Sequence, residues 1–338
     1  MGVTLDLIHA NELLEEIGYI QEIDQYDGEI SQESDSDIFN NSFALTVSDE
    51  VWQASPILRG HYVYVVGNEF GGLVEQIEHS TSRAQVTVSG VTWRGMLYRK
   101  IIIPPVDDAY LRITAMEAND AVDTIIDGSL GDLFTVSTDN SGVTVSRNFR
   151  YTNMLIGIGM MLAEKGAALE IEYSQVTKTV NLSVRKVVDY SDEIDLSQDY
   201  GVDIVSTFGG LDRYNHIVAL GAGELLERDI LHIYRKDDGT MTTVAPAWVG
   251  TADDLMTTFD FSNPETVEML KDYAEKRAKE FTPLNQVEID PAVDGLDFKL
   301  GDIVGARDRL TGMAGTAVIV GRILTMNQFG IKLATRVR

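Results

Sequence analysis

The sequence predicts a mainly β chain with an α/β insert, an α+β class, on three observations. Short alternating or β-branched runs fill the first third and the last part of the chain. Glycine- and serine-rich turn material such as GNEFGG (67–72) and STSR (80–83) separates them. Two helical patterns and a hairpin pattern stand together in between.

Taken in order, YVYVV (62–66), LVEQIEH (73–79) and AQVTVSGVTW (84–93) read as strands of a β region that runs from residue 1 to about 105 and stops at IIIPP. QESDSDIFNNS (32–42) reads as a solvated acidic loop. Asp35 and Asp37 hint at calcium, but the glycine and distal glutamate of an EF-hand loop are missing.

Beyond IIIPP, Thr114 and Glu117 form a capping-box pattern ahead of AMEANDAVDTIID. Its Ala118, Ala121, Val122 and Ile125 share one face before Gly128. A second helix is predicted in YTNMLIGIGMMLAEKG, closed by Gly166, and LEIEYSQ with KTVNLSVRKV reads as a hairpin. From about 189 the pattern returns to β in DIVSTF, NHIVALG, RDILHIYRK, AVIVGRILTM and GIKLATRVR. One helix interrupts it: Asn263 caps, Pro264 takes the first helical position, and Val267, Leu270, Ala274, Ala278 and Phe281 follow before Pro283.

Composition narrows the function. The chain has 338 residues with 53 Asp and Glu against 27 Lys and Arg, a net charge of -26, so its surface repels polyanions and DNA- or RNA-gripping is disfavoured. At 44% hydrophobic it is a folded globular chain long enough for two or three domains. With no cysteine there are no disulfides and no thiolate chemistry, which fits assembly in a reducing cytosol. The apolar stretch MLIGIGMMLA (154–163) is half the roughly 20 residues that span a bilayer, and the N-terminus lacks the basic and apolar regions of a secretory signal.

A search for catalytic parts finds neither G-x-S-x-G nor H-E-x-x-H. His9, His61, His79, His216 and His232 are scattered singly, without metal-ligand spacing. His61 and His79 flank one β region and could approach each other across strands, but a lone strand histidine is usually a surface or packing residue. The carboxylates Asp192, Glu193, Asp195 and Asp199 in YSDEIDLSQDYG read as a solvated acidic turn rather than acid/base machinery. GAGE (221–224) lacks the third glycine of a dinucleotide fingerprint and reads as a hairpin turn after NHIVALG. No catalytic residue, cofactor or metal site is expected, which favours a structural or interaction protein over the two alternatives. Those are a carbohydrate-active hydrolase of the host cell wall with an unrecognised carboxylate pair, and a host-surface glycan-binding module.

Several stretches together resemble a known family. EFGGLVEQI (69–77), WRGMLYRKII (93–102), NMLIGIGMMLAEKGAALEIEY (153–173), IDLSQDYG (194–201), RYNHIVALGAGELLERD (213–229) and FKLGDIVGARD (298–308) follow one another as in bacteriophage tail-tip and baseplate hub proteins, the siphophage tail-hub family. The N-terminal region of tail-associated lysins is similar. The resemblance implies two tail-tube-like β-barrel domains, 1–106 and 189–338 with the helix 264–281, and a small α/β domain, 107–188. It further implies a homotrimer forming a pseudo-sixfold ring that adapts the sixfold tail tube to a threefold tip. Expected partners are a distal tail or tail-tube protein above, a spike, fibre or lysin below, and DNA passing without specific binding. The expected location is the virion tail tip, after assembly in the host cytoplasm. Because the chain ends at Arg338 without a lysin extension, wall-degrading activity is not expected of it.

The basic cluster in VTWRGMLYRKIIIPP (91–105) then reads as the last strand of the first barrel. Arg94, Arg99 and Lys100 are its subunit-contact candidates, meeting acidic groups of a neighbouring copy.

Overall fold

A computed structural model describes residues 6–20, 22–32, 39–191, 195–196, 204–208, 214–236, 239–261, 266–280, 285–289, 298–307, 310 and 314–337. The chain is mainly β, with helices α1 (Asp49–Ala54), α2 (Trp93–Tyr98), α3 (Ala118–Ile126), α4 (Met154–Ala163) and α5 (Val267–Glu280). It divides into two compact units. One comprises 1–204, 289–307 and 316–338, and the other 205–288 and 308–315.

The first unit is organised on one 11-stranded sheet. Its middle is the antiparallel run of Gln25–Ser31, Ser42–Ser48, Gln85–Thr92 and Gly71–Ser80. Strict alternation builds it: in Ser42–Ser48 only Phe43, Leu45 and Val47 are buried, as the period of two demands. Tyr62–Val65, Leu7–Ala10 and Glu16–Tyr19 extend the sheet on one side.

On the other side the chain's end joins its beginning. Ala314–Asn327 pairs antiparallel with Gln25–Ser31, from Gly321 opposite Ser31 to Asn327 opposite Gln25. Gly330–Val337 adds to the same long strand, and Ile303–Arg307 and Asp195–Leu196 lie beyond. Among the described residues this sheet is an open path, so the closed barrels expected from the resemblance are not seen. The C-terminal strands add to the edge at Gln25–Ser31 instead of closing a ring of their own, and Glu16–Tyr19 pairs on one side only.

The segment after IIIPP supplies the helices. Ala167–Ser174 and Thr179–Lys186 form the expected hairpin, with Phe134–Val136 added in parallel. α4 begins where Asn153 Oδ1 accepts the Ile156 N–H at 3.2 Å, and the chain turns at Gly166 with φ +61°. α3 is capped by Glu117, which accepts from Asn119 and Asp120, and not by Thr114. Thr114 lies in the strand Leu111–Glu117, so the helix starts one turn later than the capping-box pattern suggests. Ala118, Ala121, Val122 and Ile125 are buried as the spacing predicts. They join Trp93, Leu97, Ile102, Phe149 and Ile158 in one continuous core.

In the second unit, His216–Leu220 lies between Ile230–Arg235, antiparallel, and Met256–Asp260, parallel. α5 buries Leu270, Ala274 and Ala278 at four-residue steps against Ile217, Ala219 and Ile233, while Val267 is half exposed. The expected cap Asn263, the first-position Pro264, Phe281 and Pro283 lie outside the described residues. So do Asp35 and Asp37, and Asp192, Glu193 and Asp199. No described helix is long and apolar enough to cross a membrane.

Candidate functional site

The basic cluster is centred on α2, and the helix is a departure from the strand expected there. Gln85–Thr92 ends at Thr92, whose hydroxyl accepts the Gly95 N–H at 3.3 Å and starts a helical turn at Trp93. Six residues carry too little periodicity to announce a helix, and aromatic and aliphatic content made the segment look like a strand. Gly95 is required: a Cβ there would collide with the carbonyl oxygen of Asn41.

Trp93 is fully buried and stacks on Tyr62 and Tyr173, with ring centres 5.8 and 5.2 Å away. Tyr64 closes the group at 4.5 Å from Tyr173, and its hydroxyl donates to Glu16 at 3.0 Å. This aromatic cluster fixes the helix, and the helix in turn aims its two arginines apart. Five residues at about 100° each leave Arg94 and Arg99 roughly 140° apart around the axis.

Arg94 turns inward. It is 1% exposed, its Nε and Nη2 donate to the Glu69 carboxylate, and Nη2 also donates to the Leu169 carbonyl at 2.6 Å. Burial pushes the Glu69 carboxyl above the usual carboxylate range, and the Arg94 charge recovers only part of the shift. The pair lines a polar cleft of about 250 Å³ together with Glu170, Glu172, Arg185, Lys299 and Arg322. There Arg185 donates to Asp302 at 2.7 Å and to the Leu300 carbonyl at 2.8 Å.

Arg99, exposed at the C-terminal end of α2, forms a two-pronged ion pair with Glu75. It borders a trough of about 720 Å³ on the sheet face, which also holds Asp27, Glu29, Arg59 and Ser89. Lys100 is half-buried, and its carbonyl accepts the Met154 N–H at 2.9 Å, tying α4 to this region. The three basic residues therefore have different surroundings. Arg94 is enclosed by its own chain, Arg99 is exposed and Lys100 is half-buried.

The histidines pair, which their spacing in the sequence does not reveal. His61 meets His9, not His79: His9 Nε2 lies 2.8 Å from His61 Nδ1, with Ser55 and Glu12 at 3.4 and 3.5 Å. His79 lies beside Asp49. Burial, and then the neighbouring His61, lower the His9 pKa to about 4. His216 meets His232 in the second unit. Strand register could have signalled the latter, since residues 216 and 232 lie on adjoining strands, but residues 9 and 61 are joined only by the fold. GAGE lies, as expected, in the connection of an antiparallel pair, between Leu220 and Ile230. Among the described residues no three His, Asp or Glu side chains converge to hold a metal ion.

Comparison with known proteins gives no match to a family model or to a curated protein sequence. Solved structures do match, nearly end to end. The 43 kDa tail protein of prophage MuSo2 from Shewanella oneidensis is 14% identical with a TM-score of 0.59, and the match covers 100% of this chain and 98% of that one. The prophage tail protein gp18 from Listeria monocytogenes EGD-e is 14% identical with a TM-score of 0.54, covering 98% and 94%. A chain of the phage P2 baseplate, in its activated conformation with Ca, is 13% identical with a TM-score of 0.51, covering 99% and 98%. The chain thus has the fold of phage tail and baseplate proteins, as its order of motifs suggests.

Proposed function

We propose that this protein is a structural component of a phage tail or tail-like particle, and specifically the hub at the tail tip. One observation carries the reading: the fold matches that of a prophage tail protein over all of this chain and 98% of the other. A likeness that leaves almost nothing over on either side favours the same structural role over a shared module in an unrelated enzyme.

In this reading three copies form a pseudo-sixfold ring that adapts the tube to a threefold tip and lines part of the ejection channel. Its tube-like, α/β and second tube-like parts correspond to 1–106, 107–188 and 189–338, with the strands Ile303–Arg307, Ala314–Asn327 and Gly330–Val337 of the last part joined to the sheet of the first. Arg99 and Lys100 face a neighbouring copy. The net charge of -26 supports a channel that does not hold DNA, because like charge disfavours adsorption. A tail-tube or distal tail protein binds above, and a spike, fibre or lysin below. The role is structural and not catalytic, and assembly takes place in the host cytoplasm.

Locating the chain in particles tests this. A tagged copy should label the far end of isolated tails, whereas sugar release from cell wall by the purified chain, lost on changing one acidic pair, would replace the hub by a hydrolase.

A further inference from the structure

In the second unit Asp254 Oδ1, His216 Nδ1, His216 Nε2 and His232 Nδ1 form a line of contacts. Asp254 lies 2.6 Å from His216 Nδ1, and His216 Nε2 lies 2.7 Å from His232 Nδ1. The other Asp254 oxygen accepts the Gly250 N–H at 2.8 Å, and an ionised carboxylate can only accept from His216. That puts the neutral His216 proton on Nδ1 and leaves a lone pair on Nε2. A carboxylate that fixes the outer nitrogen of an imidazole is the usual support of a metal-ligating histidine. His216 is 2% exposed and held by strand pairing, while His232 is open to solvent. The Tyr234 ring, 4.5 Å from His216, limits its rotation.

We propose that His216 Nε2 and His232 Nδ1 bind one divalent transition-metal ion of the zinc class, with Asp254 as a positioning residue. Two zinc–nitrogen bonds of about 2.05 Å at a tetrahedral angle place the nitrogens about 3.3 Å apart, so the contact opens by roughly 0.6 Å. The exposed His232 supplies that movement. Its N–H passes from Nδ1 to Nε2, so the neutral pair binds the ion without net loss of a proton. Water completes the coordination, since no third protein ligand converges there among the described residues. The ion would join the strands His216–Leu220 and Ile230–Arg235 side chain to side chain and hold the Asp254 segment through His216. The inner pair His9 and His61, 2% and 8% exposed, lacks such an opening to solvent.

Zinc chloride titrated into the whole chain by calorimetry, with cobalt(II) absorption as a second readout, tests the site. One ion per chain is expected. His232→Ala should abolish binding or weaken it at least about tenfold, and Asp254→Asn should weaken it about 10–100-fold. His79→Ala should leave it unchanged. Circular dichroism checks each variant, with His232→Gln in reserve. Absence of zinc-dependent heat and cobalt absorption overturns the proposal, and so does binding that His232→Ala weakens less than about tenfold or that is lost with His79→Ala.

Discussion

The guanidinium of Arg94 lies against the carboxylate of Glu69 inside the protein, and the same side chain donates to the carbonyl of Leu169 at 2.6 Å. One residue of α2 thereby joins the turn at Glu69 to the strand Ala167–Ser174, 75 residues along the chain. Truncating one partner leaves a buried charge unpaired. Arg94→Ala is therefore expected to cost about 3–5 kcal/mol in urea unfolding, with the double replacement Arg94→Met, Glu69→Leu recovering much of the loss. A single-variant cost below about 1 kcal/mol, typical of surface pairs, would show that the pair is solvated instead.

Gly95 has no room for a side chain against Asn41. Gly95→Ala should destabilise by about 1–3 kcal/mol despite the better helix propensity of alanine. A neutral or stabilising change in thermal unfolding would place α2 farther from Asn41.

His9 has a folded pKa of about 4, below its ordinary value of about 6.5. The unfolded chain therefore binds more protons between these values. Its contribution is present in full above about pH 6.5 and is lost as pH falls toward 4. His9→Gln, measured by urea unfolding from pH 7.5 to 4, should flatten the slope in that window, and an unchanged slope would assign the acid sensitivity elsewhere.

Arg99 sits 45% exposed beside Glu75. Arg99→Glu should change monomer stability by no more than about 1 kcal/mol but weaken assembly. Unchanged assembly in sedimentation would remove Arg99 from the subunit contact.

Much of the local structure was legible in the sequence. The strand pattern in 84–92, the helix closed by Gly166, and the four-residue steps of Leu270, Ala274 and Ala278 each determine a local outcome from neighbouring residues alone. What could not be read was set by contacts distant in sequence. The strand Ala314–Asn327 finds Gln25–Ser31 across most of the chain, and no local pattern specifies that partner. Arg94 and Arg99 looked alike as basic residues of one cluster. The turn begun by Thr92 separates them, giving one to the interior and the other to the sheet face. The histidine pairs were hidden for the same reason, since each residue is ordinary until the sheet brings its partner to it.

Assembly state decides the proposed role. Mass measurement of the chain in solution and in isolated tails, joined to imaging of the same material, should find three copies around a central hole at the tail tip. A single copy or compact monomers in both samples, with no ring in the tails, would contradict the hub.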